Sequence, residues 1–401
     1  MAATSSEGVG AFEAGRGAPW VGDAVFVVVC FLASRAALEI VGLSSAVVLR
    51  PHLDYAHVWT YSDRLWLAIW GVADTGWYLD IARDGYDHAV RASGPVAGQA
   101  NWAFFPAYPM IAAALARTTG WSDFTAMVVL SNVCLLAALA VLSAETTTRF
   151  GAAAGRWVVV LTCVLPGSYV FSAAYTESLH LLLLAVFFAL LRRRRWWGCG
   201  AVAGLAALTR NIGVVLVLPM LVVGLGDAMR ARRASRGAPW REGARAVGAA
   251  VMPVAALAAF CLYLWTRTGD PLAFASIQKA WGRELQVPFA ALVAPMFGHG
   301  ALDPAQALNW IAAVVSIVGL AVLAAEKRWD LFAYAVVAVL LPLAYGPGSL
   351  LRFAIADAPL LMAAAGVCAR RPTWAPVAVA SAAVLDGFMM VSWSIGLPMA
   401  H

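Results

Sequence analysis

The chain has 401 residues, 62% of them hydrophobic and 12% charged, with a mean hydropathy of +0.77. A soluble domain carries roughly 45–50% apolar and about 25% charged residues, so a soluble globule is excluded. The net charge of +6, from 28 Lys+Arg against 22 Asp+Glu, is spread between apolar segments and forms no diffuse basic surface, so no nucleic-acid partner is expected.

Crossing a bilayer takes about 20 mostly apolar residues, and a chain of this length has room for roughly ten or more crossings. Leu179 to Leu191 and Ile311 to Ala325 are apolar on every face, whereas a membrane β-barrel needs alternating polarity. The expected fold is therefore an all-α polytopic membrane protein, because in lipid a helix satisfies its own backbone groups. The elements follow in order. Residues 1–21 form a Gly/Ala/Ser-rich tail, read as cytoplasmic, and 22–42 a retained signal-anchor helix rather than a cleaved peptide. Arg35 and Glu39 stand i, i+4 on it and are read as an intrahelical pair. Ten further apolar segments follow at 125–146, 155–171, 173–191, 196–209, 211–227, 247–267, 307–325, 329–346, 353–369 and 373–393. About eleven helices thus make one transmembrane domain over 22–393, ahead of a tail at 394–401.

With the N-terminus inside, alternation places 17 cationic residues in the cytoplasm, including the run Arg192 to Arg195 and the basic loop 226–246, against 10 outside. The positive-inside rule favours that orientation. The basic loop suits anionic lipid headgroups. Phe104 to Thr118 is too short for a crossing and opens with Pro106 and Pro109, so it is read as a juxtamembrane or re-entrant helix. Residues 43–124 then form one long extracytoplasmic loop, with a second at 268–306; loops this long are uncommon unless functional. The six cysteines all sit in apolar stretches without a CxxC pair and read as small buried hydrophobes. The histidines are scattered, so no structural metal is expected.

Seven of the 22 acidic residues lie in the first loop. From Asp74 the chain reads DTGWYLDIARDGYD, and helical spacing puts Asp74, Trp77, Tyr78 and Ile81 on one face, with Asp80, Arg83, Asp84 and Asp87 turned away. Asp74 is either a helix N-cap above an interfacial aromatic belt or a working carboxylate at the membrane boundary.

The order of motifs sharpens that choice. D-x-x-W-Y-x-x-I-A-x-x-G-Y (Asp74 to Tyr86), F-F-P-x-Y-P (Phe104 to Pro109) and S-N opening a helix (Ser131, Asn132) are followed by S-A-x-Y-T-E-S (Ser172 to Ser178) and R-R-x-R-W (Arg192 to Trp196). G-L-A-A-L-T-R-N-x-G (Gly204 to Gly213), G-D-P-L-A-F (Gly269 to Phe274) and S-L-x-R-F (Ser349 to Phe353) complete the series. Over about residues 20 to 370 the chain resembles the bacterial members of the GPI mannosyltransferase II family, also called PIG-V, with Ala73 standing where that family usually has Trp. The resemblance implies a GT-C-like bundle that uses polyprenyl-phosphate sugars at the extracytoplasmic face of the cell membrane, with Asp74 in the position of the catalytic carboxylate.

Sugar transfer from such a donor needs a base for the acceptor hydroxyl, and Asp74 is the candidate. One carboxylate acting in a single displacement gives inversion. The leaving phosphate calls for fixed cations, and Arg210 and Arg352 are the candidates, since planar guanidinium forks suit phosphate oxygens; the alternative for each is an arginine snorkelling to headgroups. Glu177 is either a second carboxylate, orienting the acceptor or holding a divalent ion, or a favourable acid at a helix N-terminus. Asn211, Gln278, Trp281, Trp77, Tyr78, Trp102 and Tyr108 are candidate binding residues, with Asp270 and Arg283 as further members of a sugar or acceptor wall. No cofactor follows from the residues, and a divalent cation stays open. The expected partners are a polyprenyl-phosphate sugar donor, a lipid or glycan acceptor and membrane lipids. The rival reading is a lipid or polyprenol-linked sugar transporter or flippase, whose polar residues should line a midplane path in repeated halves; a third is a non-catalytic partner subunit.

Overall fold

The computed structural model describes residues 19–53, 59–233, 240–283, 287, 303–345 and 348–397, and these are helical with no strand among them. The tail at 1–18, the end of the C-terminal tail and most of 284–302 lie outside the described residues, as does the centre of the basic loop. Helix α1 spans Pro19–Leu49, seven residues beyond the end expected from the sequence. The first loop then carries α2 (Leu65–Ala68), α3 (Thr75–Asp84) and α4 (Ala107–Thr119). At 13 residues α4 is about 20 Å long, too short for a hydrocarbon core of about 30 Å. It ends at Gly120, whose left-handed φ of 75° allows the chain to turn.

Helices α5 (Asp123–Phe150), α6 (Ala152–Val164), α7 (Glu177–Arg192) and α8 (Trp196–Thr209) follow. Next come α9 (Val217–Arg233), α10 (Trp240–Thr268), α11 (Ala273–Ser276), α12 (Pro304–Ala325) and α13 (Trp329–Ala344). The chain closes with α14 (Leu350–Ile355), α15 (Ala358–Arg370) and α16 (Ala375–Ser394). Among the described residues six helices are long and apolar enough to cross a membrane: α1, α5, α9 with the turn before it, α10, α12 and α16. Helices α6, α8, α13 and α15 are shorter and apolar.

Helix α5 packs between α6 and α7, α8 bridges α7 and α10, and α16 returns to α1, so the last helix closes on the first. Without a hydrophobic drive between helices in lipid, close approach depends on small residues. At the α8–α10 crossing a Cβ on Gly200 would stand 2.6 Å from the Ala249 carbonyl oxygen. The helix starts carry local signals: the Ser122 hydroxyl accepts from Thr125 N–H, and Asp303 and Gln306 form a capping box before α12.

Several expectations are corrected. The apolar run 353–369 is broken at Ala356 and Asp357 into α14 and α15, and 211–227 begins with a 3₁₀ turn over Asn211–Leu216. Apolar composition shows no such breaks, because they serve polar side chains that must leave the helical register. Ser131 and Asn132 lie within α5 rather than at its start. Arg35 and Glu39 do not pair: Arg35 donates to the Cys163 and Ser168 carbonyl oxygens at 3.1 and 2.9 Å, while Glu39 accepts from the Trp70 indole at 2.8 Å. A buried guanidinium finds more acceptors in the turn after α6 than in one carboxylate a helical turn away. Asp386 on α16 fixes that same turn, accepting the Gly167 and Ser168 N–H groups, each at 2.9 Å.

At the far end of the bundle Glu145 accepts Arg149 at 2.7 Å and Arg192 at 3.0 Å, and Arg149 also reaches Asp330 at 2.6 Å. This network ties α5, α7 and α13 together at one end, and α7 and α13 line a cavity further along their length.

Candidate active site

Asp74 precedes α3, and its side chain makes no capping bond to that helix. Instead Arg352 Nη1 donates to Asp74 Oδ2 at 2.8 Å, and Arg352 Nε lies 3.2 Å from Glu177 Oε1. Arg210 Nη1 reaches the same Glu177 oxygen at 3.1 Å. Four residues from four separate stretches of chain thus form one alternating string of charge, Asp74, Arg352, Glu177 and Arg210. Phe353 supports it: its ring centroid lies 4.5 Å from the Arg210 guanidinium carbon and 5.4 Å from that of Arg352.

The backbone around the string is strained in a telling way. Four non-glycine residues among those described have positive φ, and two of them flank the Asp74–Arg352 pair: Ala73 at 46° and Ser349 at 64°. Such conformations cost about 1–3 kcal/mol each and persist where surrounding structure imposes them, often at functional sites. Tyr175 contributes to the imposition by accepting the Asp74 backbone N–H at 3.2 Å while donating to Val72 O at 3.0 Å.

The string lines a cavity of about 630 Å³. Of the residues expected from the sequence, Asp74, Tyr78, Glu177, Arg210, Asn211, Gln278, Trp281 and Arg352 all face it. Tyr78, Phe104 and Trp281 make an aromatic wall, with Phe104 5.2 Å from Tyr78 and 6.0 Å from Trp281 between centroids. Burial pushes the Tyr78 phenol up, and the neighbouring Glu177 and Asp74 charges add to that, so it stays neutral.

Three expected residues are not in the wall. Trp77 packs behind it, stacked on Phe104 at 5.8 Å and covered by Arg91 at 4.4 Å. Trp102 donates to the Asp87 carbonyl at 2.7 Å and closes the loop that follows α3. Tyr108 is fully buried, its hydroxyl bonded to Met127 O at 2.9 Å and Ser131 at 2.8 Å. Helical periodicity marks an apolar face correctly but does not tell its surface from its support. Asp270 folds back onto its own turn, accepting Leu272 N–H and the Ser276 hydroxyl, each at 2.8 Å.

The two arginines expected to meet an incoming anion are already engaged by carboxylates. Burial alone would lower Arg352, yet Glu177 and Asp74 outweigh it and hold its pKa above the ordinary value, so it is a permanent cation. A third guanidinium, Arg283, also faces the cavity and donates to Gln278 Oε1 at 3.1 Å, with no ion pair to a described carboxylate. Burial and the Arg352 charge push Arg283 down, with Asp74 opposing and Arg210 adding to the shift. A cation so placed favours an anion beside it. Among the described residues no group of three His, Cys, Asp or Glu could hold a metal ion. The Arg352 guanidinium stands between Asp74 and Glu177, where an ion bridging them would have to displace it.

Sequence reasoning also passed over His180, Tyr334 and Asp357 in the cavity lining. His180 is the only one with a local signal, standing one turn after Glu177 on the same face of α7.

No family model and no curated protein matches the chain. Among solved structures, ArnT from Cupriavidus metallidurans bound to undecaprenyl phosphate superposes over 96% of this chain and 78% of its own, with a TM-score of 0.52 and 14% identity. The Archaeoglobus fulgidus oligosaccharyltransferase tethered with an acceptor peptide covers 90% of this chain at a TM-score of 0.47 and 12% identity. The same archaeal protein in complex with an inhibitory peptide and a dolichol-phosphate gives 0.45 at 12%. This chain spans 55% of the length of the first of those and 56% of the second. At such identities the likeness is one of fold, and the architecture is GT-C-like.

Proposed function

We propose that the chain is an inverting membrane glycosyltransferase that moves a hexose from a polyprenyl-phosphate donor to a lipid-linked or other extracytoplasmic acceptor. The observation that carries this reading is the convergence of one accessible carboxylate, Asp74, with Arg210, Arg283 and Arg352 on a single aromatic-walled cavity. The fold shared with ArnT, solved with undecaprenyl phosphate bound, supports a lipid-phosphate ligand. The motif order supports mannose as the sugar and kinship with the GPI mannosyltransferase II family.

In the proposed reaction Asp74 takes the proton of the acceptor hydroxyl as its oxygen bonds to the sugar C1. The bond from C1 to the phosphate oxygen breaks on the opposite face, its electron pair leaves with the polyprenyl phosphate, and the configuration inverts. Arg352 holds Asp74 in place. Arg283, free of a carboxylate among the described residues, meets the phosphate first, with Arg210 and Arg352 adding positive potential from behind their ion pairs. The charge distribution supports an orientation with this end of the bundle outside the cell membrane.

Incubating the purified protein with radiolabelled polyprenyl-phosphate mannose and membrane lipid extract tests the reading. Label should appear in a product that retains it after the donor is removed. Movement of intact donor across vesicles without transfer would replace this reading with a flippase.

A further inference from the structure

Beneath the charge string the cavity continues to a polar inner end bounded by His180, Tyr334 and Asp357. All three are more than nine-tenths buried. His180 Nε2 and the Tyr334 hydroxyl are 3.0 Å apart. Asp357 Oδ1 accepts the Leu360 N–H at 3.0 Å and so caps α15, which leaves Oδ2 without a partner among the described residues. His180 Nδ1 and Glu177 Oε2, both buried, are likewise unpartnered among the described residues. Native proteins pair nearly all buried polar atoms, because an unpaired one has lost its water without gaining a partner. Three on residues lining one cavity mark a place built for a ligand that brings its own hydrogen bonds.

We infer that this inner end is the subsite for the sugar ring of the donor, recognised as a neutral polyhydroxylated ring through Asp357, Tyr334 and His180. The inference rests on the proposed transferase reading. The chemistry selects the class. A carboxyl oxygen accepts from hydroxyls and repels a phosphate, while the phenol and the imidazole can each donate or accept. An alkyl chain would leave all three atoms unpaired. Arg210 pairs with Glu177, one helical turn from His180, so a ring entering here keeps its C1 phosphate beside the cations. The same chemistry could be presented by a hydroxylated acceptor headgroup, and the test separates the two.

The experiment uses the full chain in lipid nanodiscs and compares binding of polyprenyl phosphate with binding of polyprenyl-phosphate mannose. Asp357→Asn keeps the cap, because Asn caps about as well as Asp, and Tyr334→Phe keeps the ring. The wild type should prefer the mannose-bearing lipid at least tenfold, a difference of about 1.4 kcal/mol. Each variant should lose most of that preference while its affinity for the bare lipid phosphate stays within about twofold. Equal binding of the two lipids by the wild type, or a preference that survives both substitutions, overturns the subsite and leaves the transferase reading standing. A preference that survives while the acceptor KM rises about tenfold would overturn the donor assignment and give the ring to the acceptor. If the wild type binds neither lipid, the transferase reading falls, and the subsite with it.

Discussion

Arg352 donates to Asp74 across 278 residues of chain at 2.8 Å, joining the first loop to the short helix α14. Because Nε of the same guanidinium lies 3.2 Å from Glu177, one side chain holds two carboxylates that would otherwise repel each other. The geometry of the base thus depends on a residue near the other end of the chain.

Asp74→Asn preserves size but removes the proton acceptor. Arg352 keeps Glu177 as its ionic partner, so the variant should fold with little change in thermal midpoint. Sugar transfer should fall by about 10²–10⁴-fold, the usual contribution of a general base. Turnover near that of the wild type at matched stability would move the search for the base to Glu177.

For Arg352 the alanine and lysine variants should separate charge from shape. Arg352→Ala leaves two close carboxylates without their shared cation and should destabilise the fold by about 3–5 kcal/mol, as breaking a buried pair does. Arg352→Lys retains the charge but lacks the planar fork that reaches both partners, so it should melt near the wild type and show a lower kcat. Paired thermal melts and kinetics check both; equal kcat for Lys and Arg would show that charge alone suffices.

The crossing of α8 and α10 offers a test of the packing argument. Gly200→Val would drive side-chain atoms into the Ala249 carbonyl, 2.6 Å from the Cβ position, and into the Met252 sulfur at the same distance. Overpacking of this kind costs about 1–3 kcal/mol. The thermal midpoint should drop, whereas Gly22→Val, where a Cβ would meet nothing within 4 Å, should leave it unchanged.

Orientation is open to direct measurement. An epitope tag inserted between Arg83 and Gln99 should be reached from outside intact cells, and one between Arg230 and Arg245 only after permeabilisation, as the distribution of arginine and lysine requires. Finding both on one side would refute the proposed topology.

The helical class and the place of nearly every apolar helix were legible in the amino-acid order. They rest on local quantities: hydropathy over about 20 residues, periodicity along one helix and the charge between segments. Helical spacing puts Asp74 on one face with Trp77 and Tyr78 and leaves it either a cap or a working carboxylate; the order of motifs along the chain singles it out. What lies between elements was not legible. That Arg210 and Arg352 share Glu177, that Arg35 prefers the turn after α6 to Glu39, and that Trp102 and Tyr108 support the wall instead of forming it are all matters of distance between remote segments. Asp357 shows the limit most clearly. Its cap on α15 falls inside an apolar run that reads as one unbroken helix, and only the packing of α7, α13 and α15 around one cavity leaves its second oxygen without a partner among the described residues. A side chain's local role follows from its neighbours in sequence, whereas its chemistry follows from the charges and the empty space that the tertiary fold sets beside it.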